Sequence, residues 1–307
     1  MTRRLALPVA LAAAWAAGAA GLVAQQIFRG GVDVVSLAVT VMDKDGRYVA
    51  GLDQPSFQVF EDGVLQDIVY FSREQQPIAL TLLMDTSTSM EQKLPIAQQA
   101  AIGFARQLKP SDVAAIIEFD SRPEIVQTFT SDKALLEKAI RKTAAGGSTS
   151  LYNAIYVGLR ELQRVKAPAG DQIRRQAVVV LSDGEDTTSL VTYEDVLELA
   201  KRAETAVYAI GLRSRGDGPS KGFREAEFVL RSLAQQTGGR EFFVDEAKAL
   251  PAIYQRIADE LANQYSVGYM SKNSRRDGAY RRIVVRVDTP NALTRTKQGY
   301  YAPGGRR

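Results

Sequence analysis

From Pro77 onward the sequence alternates between short, almost wholly apolar runs and longer stretches whose apolar residues recur every three or four positions. No other feature constrains the fold as much. The apolar runs read Ile78 to Met84, Val113 to Phe119, Ala177 to Leu181, Ala206 to Ile210 and Phe242 to Val244. Being apolar on both faces, they have the pattern of parallel strands covered by helices on each side. Between them, Leu94, Ala97, Ala101, Phe104 and Leu108 share one helical face, as do Leu151, Ile155, Leu159 and Leu162. Val196, Leu199 and Ala203, and then Leu250, Ile253, Ile257 and Leu261, repeat the spacing. Strands separated by helices in this way predict an α/β fold, an open, doubly wound and mostly parallel sheet whose ligand crevice lies beyond the carboxyl ends of its strands. Pro123 to Phe129, directly after the second strand, is predicted to add an antiparallel edge strand.

Both flanks of this region carry a different rhythm. Val35, Leu37, Val39 and Val41 alternate as in a half-buried strand, and Asp43-Lys44-Asp45-Gly46 then turns the chain. Phe57 to Phe60 and Leu65 to Phe71 follow around Glu61-Asp62-Gly63. Past Gln264 the strand pattern returns in Tyr265 to Met270, Tyr280 to Val287 and Leu293 to Tyr301, with a turn at Arg276-Asp277-Gly278. The expected organisation is an N-terminal β segment over 25–75, an α/β domain over 76–264 and a C-terminal β segment over 265–303. Each flank alone would be a marginal sheet. Pairing of the two flanks, with the α/β domain inserted between them, would account for both.

Residues 1–24 read as an export signal: Arg3 and Arg4, then an uncharged run of small apolar residues from Leu5 to Ala24. Alanine and glycine dominate the run, which favours cleavage near Ala20 or Ala24 over retention as a membrane anchor, although its length approaches the roughly 20 residues that span a bilayer. A periplasmic, cell-surface or secreted protein is expected. Membrane attachment would come only through an uncleaved signal.

Composition narrows the chemistry. The 307 residues carry a formal charge of +4, two units of which are Arg3 and Arg4, too little to argue for a nucleic-acid partner. Histidine and cysteine are both absent. No Ser-His-Asp triad, cysteine nucleophile, histidine-ligated zinc, iron–sulfur cluster or disulfide can be built from this chain. A metal site made from it must use oxygen ligands, which suits Mg2+, Mn2+ or Ca2+.

Three loops offer such oxygens. Asp85-Thr86-Ser87-Thr88-Ser89 ends the first strand of the α/β region, so that a carboxylate and two hydroxyls fall on one side of a strand-to-helix loop. Gly146-Gly147-Ser148-Thr149-Ser150 precedes a helix, and Ser182-Asp183-Gly184-Glu185-Asp186 follows the strand Ala177 to Leu181. In a doubly wound sheet all three lie at the same edge. Ser, Thr, Asp and Gly are also ordinary helix N-caps, and Ser89 or Thr149 has that alternative role.

This combination resembles the von Willebrand factor type A family. The metal-ion-dependent adhesion site of that family joins Asp-x-Ser-x-Ser, a threonine from a Gly-Gly-Thr-type loop and the aspartate of a Thr/Ser-Asp-Gly loop. Asp85, Ser87, Ser89, Thr149 and Asp183 stand in those places, in the same order and strand context. Ser148 intervenes between the glycine pair and the threonine and is an alternative ligand; the register of Thr149-x-Leu151-Tyr152 favours Thr149. The resemblance covers about Pro77 to Gln264, and the flanks, with Phe57-x-Val59-x-Glu61-Asp62-Gly63 and Gly299-Tyr300-Tyr301, are similar to an exported bacterial subgroup. It implies a non-enzymatic, adhesion-type protein-binding module. One divalent cation, Mg2+ or else Mn2+ or Ca2+, would receive an Asp or Glu carboxylate from a protein partner. Ser87, Ser89 and Thr149 would reach the metal directly or through water, and Asp85 and Asp183 often through bridging waters. Where the family often carries an acid, this chain has Asn153.

Two other functions compete. One is a scaffold of an envelope assembly with a degenerate metal site. The other is a Mg2+-dependent phosphoryl-transfer enzyme with Asp85 as nucleophile, which Ser87 disfavours because Asp-x-Asp would place a second carboxylate there as general acid. Glu185 and Asp186 read as a solvated turn, Tyr152 and Tyr156 as packing, and Arg215-Gly216-Asp217 as a chance tripeptide in a loop rich in Gly, Arg and Ser. Lys272, Arg275, Arg276, Arg281 and Arg282 read as a solvated basic hairpin.

Overall fold

A computed structural model describes residues 34–165, 174–213 and 221–304. The expected export signal and Arg215-Gly216-Asp217 lie outside the described residues. Among the described residues no helix is long and apolar enough to cross a membrane.

The chain begins with β1 (Val34–Met42), β2 (Phe57–Glu61), β3 (Val64–Gln66) and β4 (Ile68–Ser72). The central region then runs β5 (Ile78–Asp85), α1 (Leu94–Gln107), β6 (Val113–Phe119), β7 (Pro123–Thr130), α2 (Lys133–Lys142), α3 (Leu151–Gln163) and β8 (Arg175–Ser182). It continues through α4 (Tyr193–Arg202), β9 (Ala206–Leu212), α5 (Lys221–Thr237), β10 (Glu241–Val244) and α6 (Leu250–Ala262). The chain closes with β11 (Tyr265–Met270), β12 (Tyr280–Val287), β13 (Leu293–Arg295) and β14 (Gly299–Tyr301).

The central strands form a six-stranded sheet in the order β10-β9-β8-β5-β6-β7, parallel except for the edge strand β7, which pairs antiparallel with β6. This is the doubly wound α/β fold that the apolar runs predict. Every residue of β5 is buried, because helices cover both of its faces. On one side Leu80, Leu82 and Met84 meet α1 and α6 through Phe104 and Tyr254; on the other Ala79 and Leu83 meet α3 through Ile155 and Leu159. The helices start where local chemistry favours it: Pro occupies the first turn of α1 and α6, Asp132 accepts from the Ala134 and Leu135 N–H groups at α2, and Thr192 with Asp195 forms a capping box on α4. Two of the helices, α2 and α5, are additional to the four that the apolar periodicity singles out.

The flanks interleave. β1 lies between β11 and β13 in one antiparallel sheet, ordered β13-β1-β11-β4, and β12 pairs with β2 in a second, ordered β14-β12-β2-β3. Val35, Leu37, Val39, Val59, Val267, Tyr269, Ile283 and Val285 fill the space between the two sheets. This sandwich packs beneath the amino ends of the parallel strands. Arg175, the first residue of β8, donates to the Ser266 Oγ on β11 at 2.8 Å, and the Glu260 carboxylate on α6 accepts from the Tyr208 hydroxyl at 3.0 Å and pairs with Arg295. Lys201 and Arg202, at the end of α4, sit over the rings of Tyr280 and Tyr301. The opposite, carboxyl edge of the large sheet is thereby left uncovered by the sandwich.

One basic residue departs from the solvated hairpin expected for its segment. Arg281 is 3% exposed and pairs with the buried Glu61, because the hairpin folds its arginine inward onto the sandwich core. Tyr152 and Tyr156, both on α3, pack against the core as expected.

Candidate metal centre at the carboxyl edge of the sheet

β5 and β8 are neighbours in the middle of the sheet, and the chain leaves them in opposite directions. After β5 it passes through α1 to β6 and β7; after β8 it passes through α4 to β9 and β10. The loops that follow such a pair part from one another and open a crevice at the strand ends. Asp85 is the last residue of β5, and Asp183 directly follows Ser182, the last of β8.

Both carboxylates are withdrawn from solvent and held by hydroxyl groups. Asp85 is 0% exposed. Its Oδ1 accepts from the Ser87 N–H at 2.8 Å and its Oδ2 from the Ser182 hydroxyl at 2.5 Å. Burial pushes its carboxyl up to about 6; the bonds from Ser182 and Ser87 oppose that shift, and the neighbouring Asp183 charge adds to it. Ser87 Oγ lies 3.1 Å from Ser89 Oγ, and the Ser89 hydroxyl donates to Asp183 Oδ1 at 2.7 Å. The second oxygen of Asp183 pairs with the ammonium of Lys93.

The third loop is stitched onto the first. Gly146 N–H donates to Thr86 O at 2.7 Å, and Thr88 donates its hydroxyl to Gly147 O at 2.9 Å. Gly147 adopts φ +69°, a left-handed conformation that favours glycine, and a Cβ there would press on Ser121 Oγ at 2.7 Å and Asp120 Oδ2 at 2.9 Å. Thr149 is buried: its N–H donates to the Thr187 hydroxyl at 3.1 Å and its carbonyl accepts from Thr187 N–H at 2.8 Å. Its hydroxyl faces the Asp183–Gly184 turn, 3.5 Å from where a Gly184 Cβ would stand, and makes no hydrogen bond among the described residues. Ser148 is exposed, with its N–H tied to Ser121 Oγ at 3.0 Å.

The capping role open to these residues is not used. Ser89 lies inside a short 3-10 turn, Thr88–Met90, and spends its hydroxyl on Asp183; the N-cap of α3 is Ser150, with no side-chain capping bond. Two neighbours read as bystanders do structural work instead. Asp186 is not a solvated turn residue, because it accepts from the Tyr152 N–H at 3.1 Å and the Ser189 hydroxyl at 2.6 Å and so anchors the first turn of α3. Asn153 Oδ1 accepts from the Leu190 and Val191 N–H groups at 3.1 and 3.3 Å. Lys93, which touches Asp183, carries no motif that sequence reasoning could have seized on, whereas Ser182 stands in the Ser182-Asp183-Gly184 motif and only its bond to Asp85 is new.

Among the described residues no group of three or more His, Cys, Asp or Glu is gathered to hold a metal. The donors gathered here are two carboxylates and three hydroxyls, an all-oxygen set of charge −2 that fits a hard divalent cation. A lysine ammonium already sits against one of the carboxylates.

The von Willebrand factor type A domain matches the chain over residues 79–256. The chain belongs to this family. Domains of the family are typically protein-interaction modules and generally not enzymes. Among curated proteins, a UPF0353 protein of Mycolicibacterium paratuberculosis is 23% identical over 199 residues, covering 59% of this chain and 60% of its own length. An uncharacterized protein of Borreliella burgdorferi is 23% identical over 225 residues, 68% of this chain and 61% of that one. The chain thus spans about three fifths of the length of these relatives. Among solved structures, a von Willebrand factor type A protein from Catenulispora acidiphila superposes with a TM-score of 0.52 at 12% identity, over 90% of this chain and 76% of that one. Proximal thread matrix protein 1 from the mussel byssus, solved with a zinc-occupied adhesion motif, gives 0.51 at 18% identity over 66% of this chain and 50% of its own. At these identities the two structures share the fold.

Proposed function

We propose that this von Willebrand factor type A chain is an exported, metal-dependent protein-binding module, with Asp85, Ser87, Ser89, Thr149 and Asp183 holding one divalent cation, Mg2+ or else Mn2+ or Ca2+. The observation that carries the reading is the convergence of three loops at the switch point, where Ser89 on one loop bonds Asp183 on another while the Thr149 hydroxyl of the third faces the same turn. When bound, the cation supplies an open coordination position for an Asp or Glu carboxylate of the partner. The chain's own groups keep that position selective. Asp85 and Asp183 balance the ion's charge, neutral hydroxyls complete the protein's share, and Asp186, Asn153 and Thr187 fix the loops so that no ordering is needed at the moment of docking.

Catalysis by Asp85 has little support, since both of its oxygens are engaged and the residue is fully buried. The N-terminal run from Arg3 to Ala24 supports export. The test is a calorimetric titration of Mn2+ and Mg2+ into the protein and its Asp183→Ala variant. Saturable binding at one site that disappears in the variant is expected. Equal affinity in both would remove the site, and absence of binding to the unaltered protein would favour a scaffold with a degenerate centre.

A further inference from the structure

Lys93 is the residue the metal reading leaves unexplained. It is the last residue before α1, its backbone fixed by the N–H bond to Met90 O at 2.8 Å and by carbonyl bonds from Ile96 and Ala97. A cation there stands at the amino end of a helix, where the aligned peptide dipoles disfavour positive charge. The side chain nonetheless turns into the crevice and sets its ammonium on Asp183, whose own side chain is 0% exposed. Within the site this contact leaves a net charge of −1, from two carboxylates and one ammonium.

Two other buried acids, Glu61 and Glu260, are neutralised by arginine. Arg281, the partner of Glu61, is 3% exposed and also donates to Ser271 Oγ at 2.9 Å and Asn273 O at 2.8 Å, so its planar fork is held on several sides, while Arg295, the partner of Glu260, is 21% exposed. Lys93 is 25% exposed, compact at its tip and mounted on a flexible four-carbon stem, so it can leave Asp183 for solvent without disturbing the backbone that carries it. Asp183 therefore has a removable counterion, in contrast to Glu61, at the edge where the three loops meet.

We propose that Lys93 is a built-in stand-in for the metal. Its ammonium neutralises Asp183 in the metal-free protein, and a divalent cation binds only by displacing it. The displacement lowers the affinity of the site, and it frees a lysine beside the open coordination position, where the acidic group of a partner arrives. Metal entry and the electrostatic character of the docking face are thereby one event. This inference rests on the metal reading above and deepens it.

Calorimetry with Mn2+ on the unaltered protein, Lys93→Met and Lys93→Arg tests it, together with thermal unfolding of all three in chelator. Losing a charge-assisted bond as competitor is expected to tighten Mn2+ binding by Lys93→Met about ten- to hundredfold. Lys93→Arg, which keeps a cation, is expected to bind no tighter than the unaltered protein. In chelator Lys93→Met is expected to melt lower and to gain the larger Mn2+-induced rise in melting temperature, a pattern that a merely structural lysine does not give. Saturable binding by the unaltered protein with equal or weaker binding by Lys93→Met would overturn the role of Lys93 alone. Absence of Mn2+ binding in all three would overturn the metal reading and this inference together.

Discussion

Two buried acid clusters at opposite ends of the molecule treat their carboxylates in opposite ways. In the sandwich, Glu61 accepts from Tyr269 at 2.8 Å, Tyr300 at 3.0 Å and Ser271 at 2.6 Å, and pairs with Arg281, which itself donates to Asn273 O and Arg275 O. The acid is saturated by groups with nowhere else to go. At the carboxyl edge of the sheet, Asp85 and Asp183 receive small hydroxyls, one backbone N–H and a lysine that can swing away, and the Thr149 hydroxyl beside them makes no hydrogen bond among the described residues. A cluster that satisfies itself holds a fold together. A cluster held by small hydroxyls and one lysine on a flexible stem can rearrange to receive something else.

Mutations that exchange these roles would break the contrast. The largest effect is expected for Arg281→Ala, which strands Glu61 as an uncompensated buried charge and should cost about 3–5 kcal/mol in urea unfolding. A loss below about 1 kcal/mol would mean that water reaches Glu61 and that the cluster is not closed. Tyr269→Phe removes one hydroxyl from the same carboxylate and is expected to cost about 1–3 kcal/mol by the same measurement.

At the other end, stability and function should separate. Asp183→Ala is expected to abolish Mn2+ binding in calorimetry while the chelated protein stays folded, because Lys93 can turn to solvent once its partner is gone. Asp85→Asn retains an acceptor for the Ser87 N–H and offers its amide to Ser182 while removing a desolvated charge. It is expected to stabilise the metal-free protein by about 1 kcal/mol and to lose metal affinity. A destabilised Asp85→Asn protein would show that Asp85 is a structural acid like Glu61. The smallest effect is expected at Leu190, 93% exposed on the loop beside Asp183: Leu190→Ala should leave unfolding within about 0.5 kcal/mol of the unaltered protein.

The sheet was legible in the sequence because its strands are covered on both faces and so read as unbroken apolar runs. Two helices were not. α2 buries only Leu136, Ala139 and Ile140, too short a stripe to stand out, although Asp132 before it is a sound capping signal. α5 carries a regular stripe, Ala226, Val229, Leu230, Leu233 and Ala234, directly after an Arg- and Gly-rich approach that reads as loop. Of the site, Asp85, Ser87, Ser89, Thr149 and Asp183 stand in a recognisable spacing. The bond of Ser182 to Asp85 and the contact of Lys93 with Asp183 become visible only when β5 and β8 lie side by side, since the partners are 97 and 90 residues apart in sequence. Arg281 follows the same rule: a charged residue in a hairpin has the pattern of a solvated one until the buried Glu61, 220 residues earlier, is placed opposite it.

The most direct measurement is anomalous diffraction from crystals of the protein grown or soaked with Mn2+. The account expects one strong manganese peak among Ser87, Ser89 and Thr149 beside Asp85 and Asp183, with Lys93 turned away from Asp183 toward solvent. A manganese peak elsewhere, or none at this edge while Lys93 keeps its contact with Asp183, would contradict it.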